Sequence, residues 1–169
     1  MAEYDALRAT AGASDANSYV TRADADDIAL AHYHASDFTG ASTANRDLSL
    51  MMATRLLDQL FIWAGNKTDV STPQRLAWPR QAVVTPDLED VASATIPQFL
   101  KEATTELALL IIQKNLTKEP TRGLLSVTAG SVDVKFDPSN PVRTIPRYIQ
   151  NMLAPYGAYR PTANRLVRV

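Results

Sequence analysis

The chain contains no cysteine, which excludes a disulfide framework and a thiolate metal site and fits a reducing compartment. It has six glycines in 169 residues. None of them falls in G-x-S-x-G, G-x-x-x-x-G-K-[ST] or G-x-G-x-x-G, so a phosphate-cradling loop has little to be built from. The two histidines, His32 and His34, stand two positions apart. On a helix they would diverge by about 200° and could not share a metal ion. No apolar run reaches the length of a membrane span. The start, Met1-Ala2-Glu3-Tyr4-Asp5, lacks the basic and apolar stretches of a signal peptide.

What is present supports one domain of ordinary size. The hydrophobic fraction of 46% is enough for a core. The net charge of −1 hides an asymmetry. Residues 138–169 hold Arg143, Arg147, Arg160, Arg165 and Arg168 and no acid, leaving 12 basic against 18 acidic residues in 1–137. A basic end on an acidic body suggests an acidic partner, a neighbouring copy or nucleic acid.

The fold class expected is mainly α: a four-helix domain with one β-hairpin and extended arms. Residues 1–17 read as an N-terminal arm, 18–156 as the helical domain and 157–169 as an extended basic tail. Thr21 with Asp24 resembles a capping box that starts the first helix, with Ala25, Ile28, Ala29 and His32 on one face. Ser42 or Thr43 caps a second helix over residues 44–63, stopped by Gly65-Asn66. The third begins after Thr95, with Pro97 in its first turn, and runs to about Asn115. Its segment Leu107-Ala108-Leu109-Leu110-Ile111-Ile112 is apolar all round, which marks a helix either central in the fold or buried on both sides. Residues 123–137 switch to a period of two around Ala129-Gly130 and predict a hairpin. Pro146 opens a short fourth helix to about Leu153.

Between the second and third helices lies a linker of about thirty residues carrying Leu76-Ala77-Trp78-Pro79-Arg80. Trp78, Pro79 and Arg80 either brace this linker over the core or make a contact between subunits. Asp24, Asp26, Asp27, Asp87, Glu89 and Asp90 read as helix-start and loop charge. No catalytic residue, metal ligand or cofactor-binding residue is expected. Tyr148, Tyr156 and Tyr159 interleave with Arg147, Arg160 and Arg165. Aromatics on a basic track hold single strands without sequence preference, and the same residue types anchor protein interfaces.

One resemblance covers residues 17–154. It is carried by Asn17-Ser18-Tyr19-Val20, Ala23-Asp24-Ala25-Asp26, Ala53-Thr54-Arg55-Leu56-Leu57-Asp58, Lys67-Thr68-Asp69 and Gln74-Arg75-Leu76-Ala77-Trp78-Pro79-Arg80. Ile96-Pro97, Lys101-Glu102-Ala103 and Glu106-Leu107-Ala108 complete it. These resemble the head-to-tail adaptor (connector, head-completion) proteins of tailed bacteriophages. Similar sequences also carry the label DnaT-like single-stranded DNA-binding protein. The adaptor resemblance implies a virion protein at the capsid vertex, made in the bacterial host cytoplasm. It implies a ring of about twelve copies between the portal protein and tail-side proteins. DNA would pass through the lumen without sequence-specific contact, and no membrane or cofactor would be involved. Arg160, Arg165, Leu166, Arg168 and Val169 would then form the segment that docks on the portal.

Overall fold

The computed structural model describes residues 6–68, 73–114 and 144–160, together with the backbone of strands at 126–129 and 132–135. Five helices dominate these residues, so the chain is mainly α.

The first helix, α1 (Arg22–Leu30), starts where the Thr21 hydroxyl accepts from the Asp24 amide at 3.1 Å. A short α2 (Ala35–Thr39), which the sequence reading lacks, follows and buries Phe38. Helix α3 (Thr43–Leu60) begins with the Ser42 hydroxyl accepting from Asn45 N–H. Helix α4 (Gln98–Gln113) is entered through Pro97, whose carbonyl takes the Leu100 and Lys101 amides. Helix α5 (Arg147–Leu153) follows Pro146 in the same manner. The two proline entries cost little, because the first amides of a helix have no partner inside it.

Helices α3 and α4 pack as the central pair, with α1, α2 and α5 around α4. Leu50, Ala53 and Leu57 of α3 meet Leu100, Leu107 and Ala108 of α4 in a core with almost no solvent contact. Thr104 and Thr105 are buried on α4 and satisfy their hydroxyls on the carbonyls of Leu100 and Lys101 one turn back. This is the central placement, one of the two that the apolar run at 107–112 allows.

Three expectations need correction. The second helix does not run to residue 63. It stops at Leu60, and strand β1 (Phe61–Trp63) continues the chain. Phe61 and Trp63 are buried and Ile62 is exposed, a period of two that the helical stripe obscures. The second correction concerns 157–169. Its first residues are strand β6 (Gly157–Tyr159), antiparallel to β1 with Ile62 opposite Ala158. The third concerns 1–17. From residue 6 onward this segment lies on the body, where Asn17 donates to the Ala6 and Arg8 carbonyls and accepts from the Arg8 amide.

The linker also has order. Strands β2 (Asn66–Lys67) and β3 (Arg80–Gln81) pair antiparallel, and Val84 bridges to Asp90. Gly65, at φ +65°, turns the chain between β1 and β2 rather than ending a helix. The expected hairpin is present as β4 (Ser126–Ala129) and β5 (Val132–Lys135), antiparallel with Val127 opposite Val134.

Candidate nucleic-acid interface

Trp78 lies inside the body, 1% exposed, and Pro79 beside it is buried; the peptide bond between them is cis. Trp78 is one ring in a chain of aromatics. Trp63 and Phe99 meet it edge-on, with centroids at 5.7 and 5.6 Å. Tyr156 stacks on Phe99 at 3.6 Å, and Tyr159 meets Phe61 edge-on at 5.5 Å. The linker, the β1–β6 ribbon, α4 and the end of α5 are thereby held together. Arg80 donates to the Ala64, Gly65 and Ala77 carbonyls at 2.6, 2.6 and 3.1 Å. It secures the turn after β1. Its donors go to neutral carbonyls rather than to a carboxylate, so its charge adds to the local potential.

Under the linker sits a pair that sequence reasoning missed, a buried Tyr19 and a half-buried Asp58. Asp58 accepts from the Tyr19 hydroxyl and, at 3.0 Å, from the Ala77 amide. Burial pushes the Asp58 carboxyl up, while the bonds from Tyr19 and Ala77 act in the opposite sense. Burial, and then the Asp58 charge, hold the Tyr19 phenol well above its ordinary value. Both shifts favour the protonated form of their group. The partners are 39 residues apart, so no local pattern in the sequence announces them.

The expected stacking track is not assembled as such. Tyr156 and Tyr159 spend their faces and edges on Phe99 and Phe61. The Tyr148 hydroxyl donates to Glu106 at 3.3 Å, and burial followed by the Glu106 charge pushes that phenol up to about 12. Glu106 also lies 3.2 Å from His32 Nε2, and His32 Nδ1 accepts from the His34 amide. Among the described residues no group of three or more His, Asp or Glu comes together as metal ligands.

The two described arginines of the basic end behave differently from the tyrosines. Arg147 and Arg160 are exposed and make no ion pair with a described residue. Arg160 continues the ribbon, its amide donating to the Leu60 carbonyl at 2.7 Å. Elsewhere some of the acids are matched. Asp24 meets Lys101 at 2.9 Å, Asp26 meets Arg46 at 2.7 Å, and Asp47 takes a two-pronged contact from Arg22. Pairing offsets part of the acidity that would oppose an anionic partner, and Arg147 and Arg160 stand in a segment that contains no acid. Arg165, Leu166, Arg168 and Val169 lie outside the described residues, as does Arg143. No described helix is long and apolar enough to cross a membrane.

A helix-rich domain with two exposed arginines near its C-terminal end, unpaired among the described residues, is the class that these observations define. The chain belongs to the family described as "Putative DnaT-like ssDNA binding protein", whose profile matches residues 7–169. The match takes in both the folded-back start and the basic end, beyond the span of the adaptor resemblance. No curated protein and no solved structure matches the chain.

Proposed function

We propose that this protein binds single-stranded DNA, without catalysing a reaction, through the arginine face at its C-terminal end. The observation that carries the reading is the pair Arg147 and Arg160, exposed and without an ion pair among the described residues, within a segment free of acids. Family membership over residues 7–169 supports it. Phosphate contacts supply most of the affinity of such a site, so binding weakens steeply with salt. A shift assay with short oligonucleotides tests it. Micromolar binding at physiological salt, lost when Arg147, Tyr148 and Arg160 are replaced together, is the expected result. No binding by the intact chain overturns it.

A second reading is a head-to-tail adaptor of a phage virion, a ring of about twelve copies between portal and tail proteins. The observation favouring it is the apolar surface the single chain leaves in water: Leu30 is 67% exposed, Tyr33 94% and Leu88 83%. Lateral packing of subunits would give such side chains cover. DNA would then pass through the lumen, and Arg160 with Arg165, Leu166, Arg168 and Val169 would reach the portal. Electron microscopy of the purified protein, alone and with a portal, tests it. Rings support this reading, and a lone subunit under both conditions removes it.

A further inference from the structure

Between α5 and the β1–β6 ribbon lies an open hollow of about 650 Å³, within the size range of ligand pockets. Ile62, Ala158, Trp63 and Tyr159 form the ribbon wall; Gln150 and Asn151 form the helix wall. No Asp or Glu lines it. Ile62 is 56% exposed there, although it stands opposite Ala158 in a paired strand. Trp63 and Tyr159 back the ribbon, where Phe61 and Trp78 hold their rings.

The cations stand on either side. On α5, residues 147, 150, 151 and 154 share one stripe, being three or four positions apart. Arg147 therefore belongs to the helix face that borders the hollow. On the ribbon, Arg160 follows Ala158 by two residues and shares its side, about 7 Å along. An apolar floor at Ile62 and Ala158, the Asn151 amide on the helix wall and an arginine on each flanking element suit an object that is flat and polar-edged in the middle and anionic at both ends. A nucleotide within a strand has that shape.

We infer that the hollow takes one unstacked base of a single DNA strand, with the flanking phosphates on Arg147 and Arg160. The inference rests on the single-strand reading above and adds to it a place and a selectivity. A paired base in a duplex is stacked on both faces and cannot enter, so the hollow discriminates single from double strands. Base identity matters little, because every base has an apolar face.

The test uses the full chain and oligothymidine strands, some carrying 2-aminopurine as a fluorescent base. Ala158→Ile narrows the hollow with a side chain that favours strands and has no ring to stack; Ile62→Ala removes the apolar wall. Circular dichroism and a thermal melt check that each variant is folded. The expected result is a loss of about tenfold in single-strand affinity for each variant, the scale of one lost base contact. The 2-aminopurine signal that marks unstacking should disappear, and the weaker duplex affinity should stay unchanged. If both folded variants bind strands like the unmodified protein while an Arg147→Ala, Arg160→Ala protein does not, the hollow is not a base site and the inference falls, although the single-strand reading stands. If the unmodified chain binds no strand, both fall.

Discussion

Tyr19 shows what a single polar atom does in this fold. Its side chain is buried and its hydroxyl partners Asp58, which also holds the linker at Ala77. Tyr19→Phe would leave a half-buried Asp58 oxygen without its donor. The expected cost is about 1–3 kcal/mol in urea unfolding, more than loss of the hydroxyl at an exposed tyrosine. Tyr148 gives a pH signature. Its folded-state phenol is raised to about 12 from the ordinary 10.0, chiefly by burial and then by Glu106. A raised value means that the folded chain holds the proton more tightly than the unfolded chain does. The associated stability is complete below pH 10 and is lost as pH rises toward 12. The stability difference between the native chain and Tyr148→Phe should therefore be flat up to the lower value and shrink above it. At this scale the caps at Thr21 and Ser42 are legible in the sequence, because donor and acceptor sit three residues apart. Asp58 and Tyr19 are not, because only the packed helices bring them together. Trp78 is legible as a feature of note, but its place inside the body depends on Trp63 and Phe99, far away in the chain.

The elements divide in the same way. The long helices follow from their 3.6-residue periodicity and the hairpin from its local turn, since each is written in contiguous residues. The β1–β6 ribbon joins residue 61 to residue 159, and neither strand exceeds three residues. Phe61 and Trp63 sit where a helical stripe would continue, so periodicity extends the helix until the pairing partner is known. Gly65 reads as a helix stop because glycine marks both helix ends and turns. Its real task is geometric: a Cβ there would press on Val83 Cγ2 at 2.7 Å and the Ala82 carbonyl oxygen at 2.9 Å, with φ at +65°. Gly65→Ala therefore adds overpacking to left-handed strain, an expected cost of about 3 kcal/mol. Gly12 is the internal control. Its φ is +74° but nothing lies within 4 Å of its Cβ position. Gly12→Ala should cost only the strain, about 1–2 kcal/mol. Equal losses in chemical denaturation would contradict the close packing at Gly65. Leu88 offers the reverse experiment, because it is a non-glycine at φ 64° with its side chain 83% exposed. Leu88→Gly relieves the strain and sacrifices little burial, so the unfolding midpoint should rise slightly.

For the whole molecule, the charge asymmetry is the most informative feature of the sequence and the boundary of the basic tail the least. Counting charges shows an acid-free end from residue 138 onward. It does not show that Gly157, Ala158 and Tyr159 belong to the body, because their partner lies nearly a hundred residues earlier. Two truncations separate folding from binding at this boundary. Removing 161–169 leaves the β1–β6 ladder and the Arg160–Leu60 contact in place. Removing 157–169 strips Phe61 and Trp63 of their strand partner and Phe61 of its Tyr159 contact. The longer cut should therefore lower the melting temperature more than the shorter one. The shorter cut deletes Arg165 and Arg168 and retains Arg147 and Arg160. Each phosphate contact on a single strand contributes about 0.7 to the slope of log affinity against log salt, so losing two should flatten it by about 1.4. The Arg147→Ala, Arg160→Ala protein should flatten it by a similar amount, and combining the changes should add the effects, since the sites are separate. If the shorter cut leaves the slope untouched while the double replacement abolishes binding, the strand is held by the β6–α5 face alone and the terminal arginines serve a different partner.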